Sequence, residues 1–298
     1  MTDPIAITNV RVFDGTGAPL TDPTTVVVAD GLIESVGGPA PAGAIDGTGH
    51  TLIPGLIDAH WHSVMAAVTM PVLMSAEPAY LHLLAAREAE RTLLRGFTTV
   101  RDTGGPAFAL KRAIDEGLYL GPRIYPSGAF ISQTSGHGDF RALHEIPRDG
   151  ASPLSMIERI GAAVIADGVP EVMRGVREQL MHGASQIKVM AGGGVSSHYD
   201  PIDVTQYTYD EMAAAVECAA GWSTYVLVHA YTPAAVQQAM RAGVKCIDHG
   251  HLVDDETVAM MAATGTWWSM QPFLDDEDAI PIASPAGRAK QMQIIEGT

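Results

Sequence analysis

The stretch Pro54-Gly55-Leu56-Ile57-Asp58-Ala59-His60-Trp61-His62 decides the fold. An apolar run over 52–58 has strand character and leads into two histidines separated by one residue. Side chains alternate faces along extended backbone, so both imidazoles point the same way. Two neutral imidazoles side by side suit zinc or a similar borderline divalent metal. A His-x-His by itself is common, and its weight comes from the residues around it.

Outward from this stretch, the chain alternates strand, loop and helix. Candidate strands lie at 52–58, 98–102, 123–131, 186–190, 225–229, 245–249 and 266–271. Helical stretches rich in Ala, Leu and Glu separate most of them, at 80–95, 156–182, 209–221 and 233–242. Gly96, Gly183 and Gly243 stand where helix C-caps use glycine. Such alternation predicts parallel strands with crossover helices. Seven units point to an α/β protein, a (β/α)8 TIM-type barrel with seven of its eight strands visible. Ahead of it, residues 5–53 form short β-rich runs with a hairpin signal at Asp30-Gly31. They are too few to close a sandwich. The expected plan is therefore 1–53 as strands of a composite β-sandwich and 54–298 as the barrel, both left incomplete by C-terminal truncation.

Composition narrows the function classes. The chain has 298 residues, 47% of them hydrophobic, and a formal net charge of −16. That acidity argues against nucleic acid or anionic lipid as partners. The run Asp275-Asp276-Glu277-Asp278 is most simply a solvated loop. Two cysteines, Cys218 and Cys246, form no Cys-x-x-Cys pair, which argues against a disulfide framework or a thiolate metal site and fits a reducing, cytoplasmic setting. The first residues lack the basic and apolar regions of a signal peptide, and the apolar stretch 64–76 is too short to span a bilayer.

Three more chemistry-bearing residues fall at strand ends: Lys188 in Gln186-Ile187-Lys188-Val189-Met190, His229 in Leu227-Val228-His229, and His249 in Ile247-Asp248-His249. Burial among apolar neighbours lowers a lysine toward its neutral amine. A neutral amine can take up carbon dioxide as a carbamate, a carboxylate able to bridge two metal ions. Singly, each residue is as well explained by a satisfied core position. In barrel order they point to a metal site.

These four segments, with the glycines 192–194, resemble the amidohydrolase superfamily, in particular its branch of imidazolonepropionase-like proteins, Xaa-Pro and Xaa-Arg dipeptidases and ochratoxin-hydrolysing amidases. The resemblance implies two Zn2+ ions, or a similar metal pair, held by His60, His62, His229 and His249 and bridged by carbamylated Lys188. It implies hydrolysis of an amide by metal-activated water, on a dipeptide or N-acyl amino acid. A cyclic-amide hydrolase of imidazolonepropionase type or a lactonase is the nearby alternative, and a non-catalytic barrel scaffold is the alternative from another class. The family's last ligand, an Asp after the eighth strand, has no counterpart here, so activity is expected of the intact protein.

For substrate contacts, His137 lies in a Gly-flanked loop after the third strand, where glycine lets backbone approach a ligand closely. The resemblance implies that His137 and Tyr231 meet substrate beside the metals. His198 lies on another mouth loop, and His251 is two residues past His249. Arg101-Asp102 is expected to form a pair at the mouth that is either structural or supports the metal ligands from behind. The methionines of 65–74 are candidates for either a pocket wall or helix packing. The expected partner is a small amide or peptide, with assembly into a homo-oligomer left open.

Overall fold

The computed structural model describes residues 4–148, 151–272, 275, 282 and 284–298. The chain forms two compact units, Met1–Leu56 and Ile57–Thr298.

In the first unit, β1 (Ile5–Val12), β2 (Thr24–Ala29), β3 (Leu32–Val36), β4 (Ile45–Asp46) and β5 (Thr51–Leu52) make one sheet, ordered β3-β2-β1-β4 with β5 also paired to β1. β2 and β3 are antiparallel across Asp30-Gly31, whose positive φ angles of 48° and 79° are those of a two-residue hairpin turn. Leu32, Ile33 and Val36 on β3 remain exposed.

The second unit is a mixed α/β structure whose paired strands run parallel. β6 (Leu56–Trp61), β7 (Phe97–Asp102) and β8 (Arg123–Pro126) form one sheet. The other contains β9 (Phe130–Ser132), β10 (Ala163–Ile165), β11 (Ile187–Met190), β12 (Val226–Ala230), β13 (Cys246–His249) and β14 (Trp267–Ser269), in the order β10-β9-β11-β12-β13-β14. The Ser185 amide donates to the Pro126 carbonyl (2.8 Å) and Gln186 Nε2 to the Tyr125 carbonyl (2.9 Å), which joins the sheets from β8 to the start of β11. Parallel strands covered by helices fit a TIM-type barrel wall. Among the described residues, no strand pairs with the outer edge of β6 or of β14.

The helices are α1 (Met70–Ser75), α2 (Pro78–Leu94), α3 (Phe108–Asp115), α4 (Met156–Arg159), α5 (Val169–Met181), α6 (Tyr209–Ala220), α7 (Pro233–Arg241), α8 (Asp255–Thr264) and α9 (Pro285–Gly297). Gly96, Gly183 and Gly243 each take φ near 95° just past a helix, as glycine at a C-cap does. The strands from β11 to β13 are buried throughout, and Ile187, Val228 and Ile247 pack with Val176, Ala215 and Val236 of the surrounding helices. No described helix is long and apolar enough to cross a membrane.

Two expectations need correction. The helix expected over 156–182 is a short α4, then β10, then α5. Gly161 (φ 74°) and Gly168 (φ 78°) bracket the buried run 162–166, and Pro170 starts α5 afresh. The single third strand expected over 123–131 is broken into β8 and β9 at Ser127-Gly128. Gly128 has φ 73°, and a Cβ there would lie 2.4 Å from Gln179 Oε1, the acceptor for the Ala129 amide, and 2.7 Å from the Phe108 ring. Gly128→Ala should therefore destabilise the protein by about 1–3 kcal/mol through strain and overpacking. Urea unfolding checks this, and an unchanged midpoint would show that the break does not depend on glycine.

Candidate metal centre at the strand ends

The parallel register brings the sequence-predicted residues to one place. Met190 lies opposite His229, His229 opposite Asp248, and Ala230 opposite His249. The His60 ring centroid is 5.0 Å from that of His62 and 4.7 Å from that of His249, which is 4.6 Å from that of His229. His137 stacks on His229 at 4.1 Å, and Tyr231 lies 4.8 Å from His229. Lys188 is buried, its ammonium reaching Asp248 Oδ2 at 2.7 Å.

His249 ends β13 with φ 78°, a conformation rare for a side chain of this size. Strand alternation would put Asp248 and His249 on opposite faces. The left-handed turn instead lets both join the cluster. Trp268 Nε1 donates to the His249 carbonyl at 2.8 Å, and a Cβ on Gly250 would meet that same nitrogen at 2.7 Å. Trp268 and Gly250 together hold the turn.

Hydrogen bonds fix the tautomers of the His pair. His60 Nδ1 donates to Asp248 Oδ2 at 2.9 Å, and His62 Nδ1 donates to the Gly104 carbonyl at 2.9 Å. Gly104 comes this close because it has no Cβ, which would sit 2.6 Å from Phe130. A donor bond from one ring nitrogen leaves the lone pair on the other. The two Nε2 atoms face each other at 3.2 Å, with Thr103 Oγ1 3.3 Å from that of His62. Burial pushes the pKa of His62 down to about 3, with His60 adding to the shift, and burial then Lys188 lower His60. Burial also holds His229 and His249 well below 6.5 and His137 at about 4. All five rings are neutral near pH 7. Facing lone pairs without protons between them suit a cation, so the donors fit a divalent metal chemically. Among the described residues, no group of three or more His, Cys, Asp or Glu side chains already has the spacing of a metal cage.

Asp248 was not singled out from sequence. Its carboxylate accepts from Lys188, from His60 and, through Oδ1, from Arg101 NH2 at 2.7 Å. Burial alone would raise its pKa, but Lys188, His60 and Arg101 outweigh burial and hold it far below the usual carboxylate range. Only the spacing Cys246-x-Asp248 in a buried strand hinted at its inward direction.

Arg101 and Asp102 do not bond each other, but each supports the histidines through one other group, Arg101 through Asp248 and Asp102 through Gly104. Arg101 turns to Asp248 and the Ala59 carbonyl, while Asp102 accepts the Ser63 and Gly104 amides. Burial raises Asp102 to about 7. Adjacent strand residues face opposite ways, which explains the separation. The glycines flanking His137 make room for protein: a Cβ on Gly138 would meet Phe130 at 2.6 Å, and one on Gly136 Ser132 Oγ at 2.6 Å. His198 is exposed and meets Tyr199 edge-on. His251 is buried, its Nε2 donating to the Gln271 carbonyl. Met65, Met70 and Met74 pack against the core around Leu73 and Leu81. Asp275 is bonded to Arg288, whereas 276–278 lie outside the described residues.

A parallel α/β wall carrying neutral histidines at its strand ends defines a class, and comparison with known proteins narrows it. Residues 51–290 match the Amidohydrolase family, and the chain belongs to that family. It is 35% identical over 270 residues to ochratoxinase from Aspergillus niger, covering 85% of this chain and 56% of that protein. The chain thus spans about half the length of the curated relatives it matches. Among solved structures, a prolidase complexed with N-methylphosphonate-L-proline superposes with a TM-score of 0.87 at 37% identity, covering 99% of this chain and 73% of that one. A Xaa-Pro dipeptidase with bound methionine gives 0.79 at 27% identity, covering 98% and 75%.

The depressed histidines make stability depend on pH. Below 6.5 an unfolded His62 gains a proton that the native one, at about 3, refuses, so the unfolded state binds more protons and stability falls as pH falls. The other shifted histidines act in the same direction. For chelator-treated protein, the urea midpoint should drop between about pH 7.5 and 5.5, and His62→Asn should flatten the drop. A pH-independent midpoint would contradict the neutral cluster.

Proposed function

We propose that this chain carries the metal-binding part of a zinc-dependent amidohydrolase that cleaves the amide bond of a dipeptide or N-acyl amino acid. The observation that carries the reading is the pair of unprotonated Nε2 atoms of His60 and His62, facing each other at 3.2 Å with their Nδ1 protons committed elsewhere. His229 and His249 would supply further neutral imidazoles, and Lys188, as its carbamate, carboxylate oxygens. When bound, a divalent pair supplies Lewis acidity toward a carbonyl and a lowered pKa for water. Asp248 and the Gly104 carbonyl orient the imidazoles, as the outer partners of metal-binding histidines do. His137, stacked on His229, and Tyr231, edge-on to the same ring, would be the side chains that meet substrate beside the metals. The substrate class follows the names of the relatives, a prolidase, a Xaa-Pro dipeptidase and ochratoxinase.

The test is hydrolysis by the zinc-loaded intact protein across panels of Xaa-Pro dipeptides, N-acyl amino acids, cyclic amides and lactones. Turnover is expected in the first two panels, abolished by chelation, restored by zinc, and reduced at least about a hundredfold in His60→Ala. Turnover confined to cyclic amides or lactones would overturn the substrate class. Zinc binding without hydrolysis in any panel would overturn the enzyme reading in favour of a scaffold.

A further inference from the structure

We infer that Ser197, Asp200, Gln206 and Lys290 form a positioning cradle that holds His137 as its Nδ1–H tautomer, so that the Nε2 lone pair is what His137 offers to a ligand. The inference rests on the reading above in one respect only, that the ligand is the substrate.

The cradle holds His137 on several sides. Its backbone amide donates to Gln206 Oε1 at 2.9 Å, and Gln206 Nε2 donates onward to Asp200 Oδ2 at 3.3 Å. One ring face stacks on His229. Gly194 approaches so closely that a Cβ there would fall 1.9 Å from His137 Nδ1. Any side chain at 194 would expel the ring. Asp200 Oδ2 accepts the Gly194 amide at 2.9 Å, which fixes that approach.

Ser197 sets the tautomer. Its hydroxyl donates to the Gly194 carbonyl at 3.2 Å, leaving its oxygen to accept from His137 Nδ1 at 2.7 Å. Asp200 Oδ2 lies 3.8 Å from the same nitrogen, and a carboxylate there favours a proton over a lone pair. Both neighbours thus select Nδ1–H.

Lys290 fastens the loop. This residue of α9 donates to the carbonyls of Gly194 (3.1 Å), Ser197 (2.9 Å) and Asp200 (2.6 Å), an acceptor for each of its three protons. It also lies 4.0 Å from Asp200 Oδ1, a buried oxygen with no hydrogen bond among the described residues. A buried carboxylate needs such a counter-charge. On the same helix, Ile294 is fully buried against Val195, Ile202 and Tyr231. A residue near the end of the chain, about 150 positions from His137, therefore decides how that ring is presented.

The experiment has two readouts. In histidine-15N-labelled protein at neutral pH, the long-range proton–nitrogen spectrum of His137 should show a protonated Nδ1 and an unprotonated Nε2. Ser197→Ala, which removes one oxygen, should shift the balance toward Nε2–H. A wild-type spectrum with the proton on Nε2, or one unmoved by Ser197→Ala, overturns the inference. The second readout is a double-mutant cycle on kcat/KM of the zinc-loaded intact protein. Lys290→Met should cost about ten- to a hundredfold in the wild-type background through misplacement of His137, and nearly nothing on top of His137→Ala. Equal losses in both backgrounds would make Lys290 merely structural. If no substrate is hydrolysed at all, the proposed function fails while the spectrum still judges the cradle.

Discussion

The buried carboxylate of Asp248 is the point on which the second unit depends. A charge removed from water must be repaid by close partners, and Asp248 has three: Lys188 from β11, His60 from β6 and Arg101 from β7. Four strands from two sheets thereby meet at one group. Lys188 and Arg101 supply the counter-charge and His60 a neutral donor, so removing both cations would leave an uncompensated buried charge. The same group fixes the proton of His60 on Nδ1 and so directs its lone pair at His62. Structure and chemistry are joined here: the interaction that ties the two sheets together also prepares the histidines.

Lys188 shows what a metal would change. Its ammonium is held by Asp248, and a carbamate on the same nitrogen would instead set an anion against an anion. On the proposed reading, carbamylation of Lys188 and binding of cations would go together, each removing the repulsion the other would meet. Around this pair, departures from ordinary backbone geometry cluster: the left-handed His249 braced by Trp268, and the Cβ-free approaches of Gly104 and Gly194. Strain and tight backbone contact concentrate where side chains must be aimed.

Much of this was legible in the sequence, for physical reasons. A strand's period of two carries His60 and His62 to one face whatever surrounds them, and apolar runs flanking Lys188, His229 and His249 mark buried parallel strands. What escaped depends on contacts distant in sequence. β10 was hidden because Ala162-Ala163-Val164-Ile165-Ala166 is too short for its period to separate strand from helix, leaving Gly161 and Gly168 as the only punctuation. Asp248 was hidden because alternation assigns it away from His249, and only the left-handed turn cancels that rule. Asp200, Gln206 and Lys290 carry no spacing signal toward His137, since long-range folding alone brings them there.

The central claim is that four neutral imidazoles converge to hold a divalent cation. Anomalous X-ray scattering at the zinc edge, on crystals grown with zinc, tests it most directly. The account predicts anomalous density bounded by His60, His62, His229 and His249, with extra density on Lys188 Nζ. Zinc absent from that cluster, or bound only elsewhere on the protein, would contradict it.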